Sequence, residues 1–225
     1  MSAFADRIEA GQALARRLEH VDTAGAVVVG LPRGGVPVAA VVAKALGLPM
    51  DVLLIRKVGA PGHRELAVGA VSDGHAMQVT VNEGIARDLG LSRDQVIELA
   101  RAELPELERR RKLYFADHPA VPLKGRTVIL VDDGVATGAT AREALRLVRQ
   151  SGPARIVLAL PVAPPSTVAR LAEEADEVVC VLQPDPFFAV GAYYDDFRQV
   201  DDVEVVEALR RAQAAPNAAG QEPKG

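Results

Sequence analysis

The chain has 225 residues, 49% of them hydrophobic and 25% charged, with a formal net charge of −4 and one cysteine, Cys180. These figures suit a single domain with a substantial core and leave no electrostatic footprint for nonspecific nucleic-acid binding. An internal disulfide and a cysteine-rich zinc site are excluded, no apolar run approaches a membrane span, and the charged N-terminal stretch lacks a signal-peptide core, so a cytoplasmic location is expected.

Residues 4–18 carry apolar Phe4, Ile8, Leu14 and Leu18 between charges and predict an amphipathic helix. A β-branched run over 26–29 then enters Gly30-Leu31-Pro32-Arg33-Gly34-Gly35, and a helical pattern resumes over 36–46. In this strand, glycine loop, helix unit, Gly34 and Gly35 allow backbone to approach an anion and Arg33 supplies a guanidinium. An ordinary turn with a solvated Arg33 is the plainer alternative. Residues 51–55 predict another parallel strand, with Arg56 and Lys57 at its carboxyl end, where open α/β sheets bind ligands. The glycine-rich stretch 58–64 predicts a mobile loop, and 58–76 as a whole a lid with few apolar anchors. Behind the loop, 66–71 and 77–81 form a hairpin around Ser72-Asp73-Gly74.

Ser92-Arg93-Asp94-Gln95 is a capping-box pattern opening a helix through Leu99, Leu104 and Leu107, which Pro105 should bend or split. The basic cluster 109–112 follows Glu103, Glu106 and Glu108 at salt-bridging distance. It therefore reads as a solvated helical face, not a nucleic-acid patch.

The most informative stretch is 127–140, TVILVDDGVATGAT. Its apolar run, 128–131, suits a parallel strand buried on both faces. Asp132 and Asp133 close the strand, small and hydroxylated residues follow, and Ala141, Ala144, Leu145 and Val148 then share a helical face. Unpaired N–H groups at such a helix start, together with the helix dipole, make an anion site. Carboxylates repel a bare phosphate, whereas a sugar phosphate satisfies both features. Its phosphate takes Thr137, Thr140 and the backbone at Gly138 and Ala139, and its vicinal diol takes the two aspartates. The alternative is that the aspartates only turn the chain and cap a helix. Neither GxxxxGK[ST] nor GxGxxG occurs.

Gly152-Pro153 should stop this helix. Strands at 155–160 and 177–182 flank a helix at 166–173, and repeated βα units imply a parallel sheet covered on both faces. Cys180, inside the second of these runs, reads as a buried and inert thiol. Residues 184–198 hold five of the eight Phe and Tyr residues, which suit either a platform for a flat ring or a staple for the C-terminal region. A last helix is expected over 201–211, and 212–225 has the composition of a disordered tail.

The block 127–140 resembles the 5-phosphoribosyl 1-diphosphate motif of the type I phosphoribosyltransferases: four apolar residues, two acids, and a loop ending Thr-Gly-x-Thr. The resemblance implies an α/β fold of three α/β/α layers around a mainly parallel sheet. It adds a flexible β-hairpin loop, a helical insertion near 84–120 and a C-terminal hood near 184–200, all within one domain, 1–211. It implies that Asp132 and Asp133 hold the ribose hydroxyls while Val135, Ala136, Thr137, Gly138, Ala139 and Thr140 wrap the 5-phosphate. Arg33, Gly34 and Gly35 are similar to the pyrophosphate-binding element of xanthine and hypoxanthine phosphoribosyltransferases, in which a cis peptide precedes the basic residue, here at Pro32 and Arg33. Arg56, Lys57 and Gly59 match the catalytic loop of adenine phosphoribosyltransferases. Ala60 stands where those enzymes have lysine, and His63 and Arg64 are the substitute cations. Phe188, Gly191 and Asp195 fall on the hood pattern of hypoxanthine phosphoribosyltransferases. By this pattern Phe188 stacks on the base, Tyr193 or Tyr194 meets its edge, and Asp133 and Asp195 face a metal.

The implied activity is Mg²⁺-dependent transfer of the phosphoribosyl group from 5-phosphoribosyl 1-diphosphate to a small nitrogenous base, in nucleotide salvage. No nucleic acid or membrane partner is expected, and a homodimer is allowed. Ala60 favours the alternative, a catalytically weak regulator that senses sugar phosphates or nucleotides. Ala136, where hypoxanthine-type enzymes have Asp, and the cation-free stretch 161–164 argue against a 6-oxopurine acceptor.

Overall fold

Apolar runs too long for a half-exposed strand drive the centre of this chain, seen here in a computed structural model that describes residues 2–72, 77–115 and 120–213. Helix α1 (Arg7–Arg17) precedes β1 (Val27–Gly30), α2 (Gly35–Leu46) and β2 (Met50–Val52). An antiparallel ribbon follows, made of β3 (Ile55–Ala60), β4 (His63–Ser72) and β5 (Gln78–Val81), and then α3 (Glu83–Asp88), α4 (Arg93–Arg101) and α5 (Leu104–Phe115). The second half alternates β6 (Thr127–Val131), α6 (Ala139–Gln150), β7 (Arg155–Val162), α7 (Pro165–Leu171) and β8 (Glu177–Leu182). A 3-10 turn (Val190–Tyr193) and α8 (Asp202–Gln213) complete it.

Five strands form a wholly parallel sheet in the order β2-β1-β6-β7-β8. Successive residues of its central strands alternate between two cores, as the strand period of two requires. Val28, Ile129, Val131 and Val157 face Leu14, Val36, Val42 and Leu209, from α1, α2 and α8. Val27, Val29, Val128, Leu130 and Leu158 face Ala141, Ala144, Leu145 and Val148 of α6. The result is the expected three-layer α/β/α fold, with the sheet's carboxyl edge left for loops. Among the described residues no helix is long and apolar enough to cross a membrane.

Several local expectations need correction. The helix expected over 4–18 begins at Arg7, because Asp6 caps it by accepting from the N–H groups of Ile8 and Glu9. Phe4 instead bridges to Tyr194, and Ile8 is exposed. The parallel strand expected over 51–55 stops at Val52, after which the Leu53 N–H donates to the Gly30 carbonyl and the chain turns away. Arg56 and Lys57 therefore lie in β3 of the ribbon. The loop expected over 58–64 is a hairpin with a turn at Pro61 and Gly62, the latter at φ +76°. It has apolar anchors along its length, up to the turn: Val58, Ala60, Val68 and Val71 are buried in one core with Val96 and Ala100 of α4. Asp73, Gly74 and the tail from 214 lie outside the described residues.

Other expectations hold. Ser92 and Gln95 form the capping box, and Pro105, second residue of α5, follows the split between α4 and α5. Cys180, expected to be buried, is only half-buried, although burial still pushes its thiol up to about 11.

Candidate functional site

At the carboxyl edge of β6 the chain passes through Gly134–Gly138 and starts α6 with no side chain capping its first turn. Gly138 holds φ +82°, and a Cβ placed there would lie 2.9 Å from Cγ2 of Thr167. The back of this loop is fastened to α7. The Thr167 hydroxyl donates to the Ala136 carbonyl at 2.7 Å, and Nη2 of Arg170 donates to the Thr137 carbonyl at 3.1 Å. In a trans peptide the C=O and the following N–H point opposite ways, so fixing these carbonyls turns the Thr137 and Gly138 N–H groups away from α7. Ala136, Thr137, Ala139 and Thr140 are exposed, whereas Val135 and Gly138 are buried. An outward-facing N–H cradle at an uncapped helix start suits a phosphate.

The acidic pair lies against the Arg33 loop. A Cβ on Gly34 would stand 1.9 Å from Oδ2 of Asp133, and one on Gly35 would stand 2.9 Å from Cα of Asp132. Here glycine is needed for two loops to touch, a reason the sequence alone did not supply. The Pro32–Arg33 peptide is cis. Oδ1 of Asp132 accepts from the Asp133 N–H at 2.9 Å. Burial holds the Asp132 carboxyl well above its ordinary range, and the neighbouring Asp133 charge pushes the same way. Burial also raises Asp133, against the opposing pull of Arg7.

Arg7 was not anticipated. Its Nη2 and Nε reach Oδ2 of Asp133 at 2.8 and 2.9 Å, its guanidinium lies 4.2 Å from the Phe197 ring centre, and its Nη1 donates to the Arg198 carbonyl. Tyr194 fastens the same aspartate from below: its hydroxyl donates to the Asp133 carbonyl at 2.5 Å while its ring packs against Phe4 and Phe197. The N-terminal strand segment joins in, with the Asp195 and Asp196 N–H groups donating to the Phe4 and Ala5 carbonyls. N-terminus, hood and acidic pair are thus one unit. Tyr194 is buried within it, so its hydroxyl is spent on backbone and does not face an open pocket.

Other candidate residues are spread further apart. Arg56 is paired with Glu103 at 2.5 Å and reaches Glu106 at 3.9 Å, while Lys57 is exposed. His63 is exposed at the hairpin tip, the Arg64 side chain lies outside the described residues, and Ala60 is buried at 3% exposure. Arg33 is half-buried, and next to it Pro32 borders a crevice of about 60 Å³ shared with Leu53, Arg110 and Thr140. Phe188 is 82% exposed on the hood, beside stacked Phe187 and Tyr193. Asp195 is exposed and accepts from the Ser2 hydroxyl. Among the described residues no three His, Cys, Asp or Glu side chains gather into a metal cluster.

Fold and site together define a parallel α/β protein of the type I phosphoribosyltransferase fold. Residues 5–196 match the model of the phosphoribosyl transferase domain, and the chain belongs to that family. It is 45% identical over 212 residues to "Putative phosphoribosyl transferase Rv0571c" of Mycobacterium tuberculosis strain H37Rv and, equally, to "Putative phosphoribosyl transferase MT0597" of strain CDC 1551. Each match covers 94% of this chain and 47% of the relative, so the chain spans about half the length of these curated relatives. Among solved structures, TT1426 from Thermus thermophilus is similar at 45% identity with a TM-score of 0.79, over 92% of this chain and 97% of that one.

Proposed function

We propose that the protein transfers the 5-phosphoribosyl group from 5-phosphoribosyl 1-diphosphate to a nitrogenous base and releases pyrophosphate, with a role in nucleotide salvage. The observation that carries this reading is the meeting at one sheet edge of an N–H cradle, an acidic pair and the Arg33 loop, with the glycines of that loop against the acids. The cradle and the hydroxyls of Thr137 and Thr140 hold the 5-phosphate. The Asp132 carboxylate accepts from the ribose diol, and Asp133, braced by Arg7, keeps the turn in place. Arg33, the backbone of Gly34 and Gly35, and Lys57 face the diphosphate, with His63 and Arg64 brought by the hairpin tip.

The bond from C1 to the diphosphate oxygen breaks, its electron pair leaves with pyrophosphate, and the base nitrogen bonds to C1 and gives up its proton. No side chain attacks. These residues place cations around the leaving group and exclude water from the sugar, which is where such sites gain most of their rate. The donor set fits a magnesium ion carried mainly by diphosphate oxygens, since one half-buried carboxylate, Asp132, stands free of a cation partner and no protein cage exists among the described residues. When bound, that ion would neutralise the leaving diphosphate. Asp195 would meet it only from the hood. Exposed Phe188 offers a stacking face for the base, and Ala136 leaves no carboxylate to meet a purine N7, which favours an acceptor other than a 6-oxopurine.

One observation favours a second reading, a sensor of sugar phosphates with little turnover. Ala60 is buried beside the hairpin turn, opposite His63, and Arg56 is paired with Glu103, so two cations of the related catalytic loop are missing or engaged. The test is pyrophosphate release from 5-phosphoribosyl 1-diphosphate with Mg²⁺ across adenine, hypoxanthine, guanine, pyrimidines and simple amines. Base-dependent release supports the transferase, and saturable binding without release supports the sensor. Failure to bind the sugar diphosphate contradicts both.

A further inference from the structure

Within the basic cluster 109–112, Arg109 lies along Glu106, Arg111 crosses to buried Asp51 and Lys112 is exposed. Arg110 differs from all three. It lines a crevice of about 60 Å³ together with Pro32, which precedes Arg33, and Thr140, which ends the phosphate loop. Leu53, Leu54 and Leu107 make the rest of that lining mostly apolar, and the volume is far below that of a small-molecule pocket, so the crevice takes the edge of a charged group and not a ring. A helix outside the central sheet thus brings a guanidinium to the place where the phosphate loop and the Arg33 loop share a border.

The charges around Arg110 leave its outer end open. Glu106 accepts from Nε and Nη2 of Arg109 at 2.7 and 3.0 Å and from Nε of Arg110 at 3.0 Å, so Arg109 is its main partner. The other acids on this side are Glu103, held by Arg56 at 2.5 Å, and Asp202, which accepts from the Tyr114 hydroxyl at 2.7 Å. Against these three acids stand Arg33, Arg56, Arg109 and Arg110, so one positive charge is left over before Lys57 is counted. Among the described residues Nη1 and Nη2 of Arg110 meet no acceptor, and neither does the half-buried guanidinium of Arg33. The Arg110 side chain is 42% exposed and therefore within reach of a ligand. Tyr114 links the two arginines: burial, and next Asp202, push its hydroxyl up to about 12, while the charges of Arg110 and Arg33 both pull against that.

We propose that Arg110 is a substrate-binding residue of the phosphoribosyl site, gripping the leaving diphosphate with Nη1 and Nη2 while Arg33 binds it from the neighbouring loop. The inference rests on the transferase and sensor readings, both of which require the sugar diphosphate to bind. It also answers Ala60, since the cation that the hairpin lacks comes from the helical insertion. Nε stays on Glu106, so the grip breaks no ion pair. A guanidinium fork suits two oxygens of one phosphoryl group, and its place beside the Arg33 loop gives the site a preference for a sugar diphosphate over a sugar monophosphate.

The experiment titrates 5-phosphoribosyl 1-diphosphate and ribose 5-phosphate, each with Mg²⁺, into the full chain by calorimetry. Arg110→Gln is expected to bind the diphosphate at least about tenfold more weakly than wild type does, and ribose 5-phosphate equally well. Arg110→Lys, which keeps the charge and loses the fork, should fall between the two and carries the test if Arg110→Gln fails to fold. Arg109→Gln, which removes the main partner of Glu106 and lines no part of the crevice, should change neither affinity. Equal diphosphate affinity in wild type and either Arg110 variant, an equal loss for both ligands, or the same loss in Arg109→Gln overturns the proposal and leaves the transferase reading standing. No binding of the diphosphate by wild type overturns both.

Discussion

Arg7 clamps Asp133 across 126 residues of sequence, with both Nε and Nη2 on the same carboxylate oxygen, the one that a Cβ on Gly34 would strike at 1.9 Å. The second acid of the motif is thus a strut between the first helix, the hood and the Arg33 loop. Its neighbour Asp132 forms no ion pair among the described residues and is held by the Asp133 N–H.

Arg7→Met should leave a buried carboxylate without its counter-ion and destabilise the chain by about 3 kcal/mol. Arg7→Lys should recover only part of that, because an ammonium cannot reproduce the two-pronged contact or lie flat on Phe197. Urea denaturation midpoints of the three proteins check the order; equal midpoints for wild type and Arg7→Met would contradict it.

The raised Asp132 fixes the sign of a pH effect. Its unfolded value lies near 3.8 and its folded value well above. The folded state therefore binds the extra proton, and stability is fully present below 3.8 and is lost as pH rises through the folded value. Asp132→Asn should remove that loss, giving a free protein more stable than wild type at neutral pH. Chemical denaturation at several pH values measures it. A variant less stable than wild type at pH 7 would show that further contacts stabilise the ionised carboxylate.

Thr167→Val keeps shape and removes the hydrogen bond to the Ala136 carbonyl. At about 1 kcal/mol for such a bond, ribose 5-phosphate should bind about fivefold more weakly with little change in overall fold. Unchanged affinity by calorimetry would mean that the loop holds its shape without α7.

Gly34→Ala should be far more damaging than its one methyl suggests, since the added atom overlaps the Asp133 carboxylate and breaks its contact with Arg7. Overpacking of this kind costs about 1–3 kcal/mol. A thermal midpoint equal to wild type would contradict the close approach of the two loops.

What could be read from the sequence was local. β6, the acidic pair and α6 follow one another within a single stretch, so apolar run, carboxylates and small residues announce strand, site and helix together. Thr167 and Arg170 act on the loop from 31 and 33 residues away, and Arg7 from the far end of the chain; none carries a local pattern that marks it. The cluster 109–112 shows both sides of this. Arg109 and Arg110 pair with Glu106 along the helix as spacing predicts, while Arg111 crosses to buried Asp51. In the ribbon, glycine content suggests a loop, whereas the burial of Val58, Ala60, Val68 and Val71 in the α4 core decides for strands.

The most direct measurement is calorimetric titration of 5-phosphoribosyl 1-diphosphate with Mg²⁺ into wild type and Asp132→Asn. Saturable one-to-one binding by wild type is expected, with affinity at least about tenfold weaker in the variant from the loss of one charge-assisted contact to the ribose diol. Equal affinity for the two proteins, or no binding by wild type, would contradict the assignment of this sheet edge as a phosphoribosyl site.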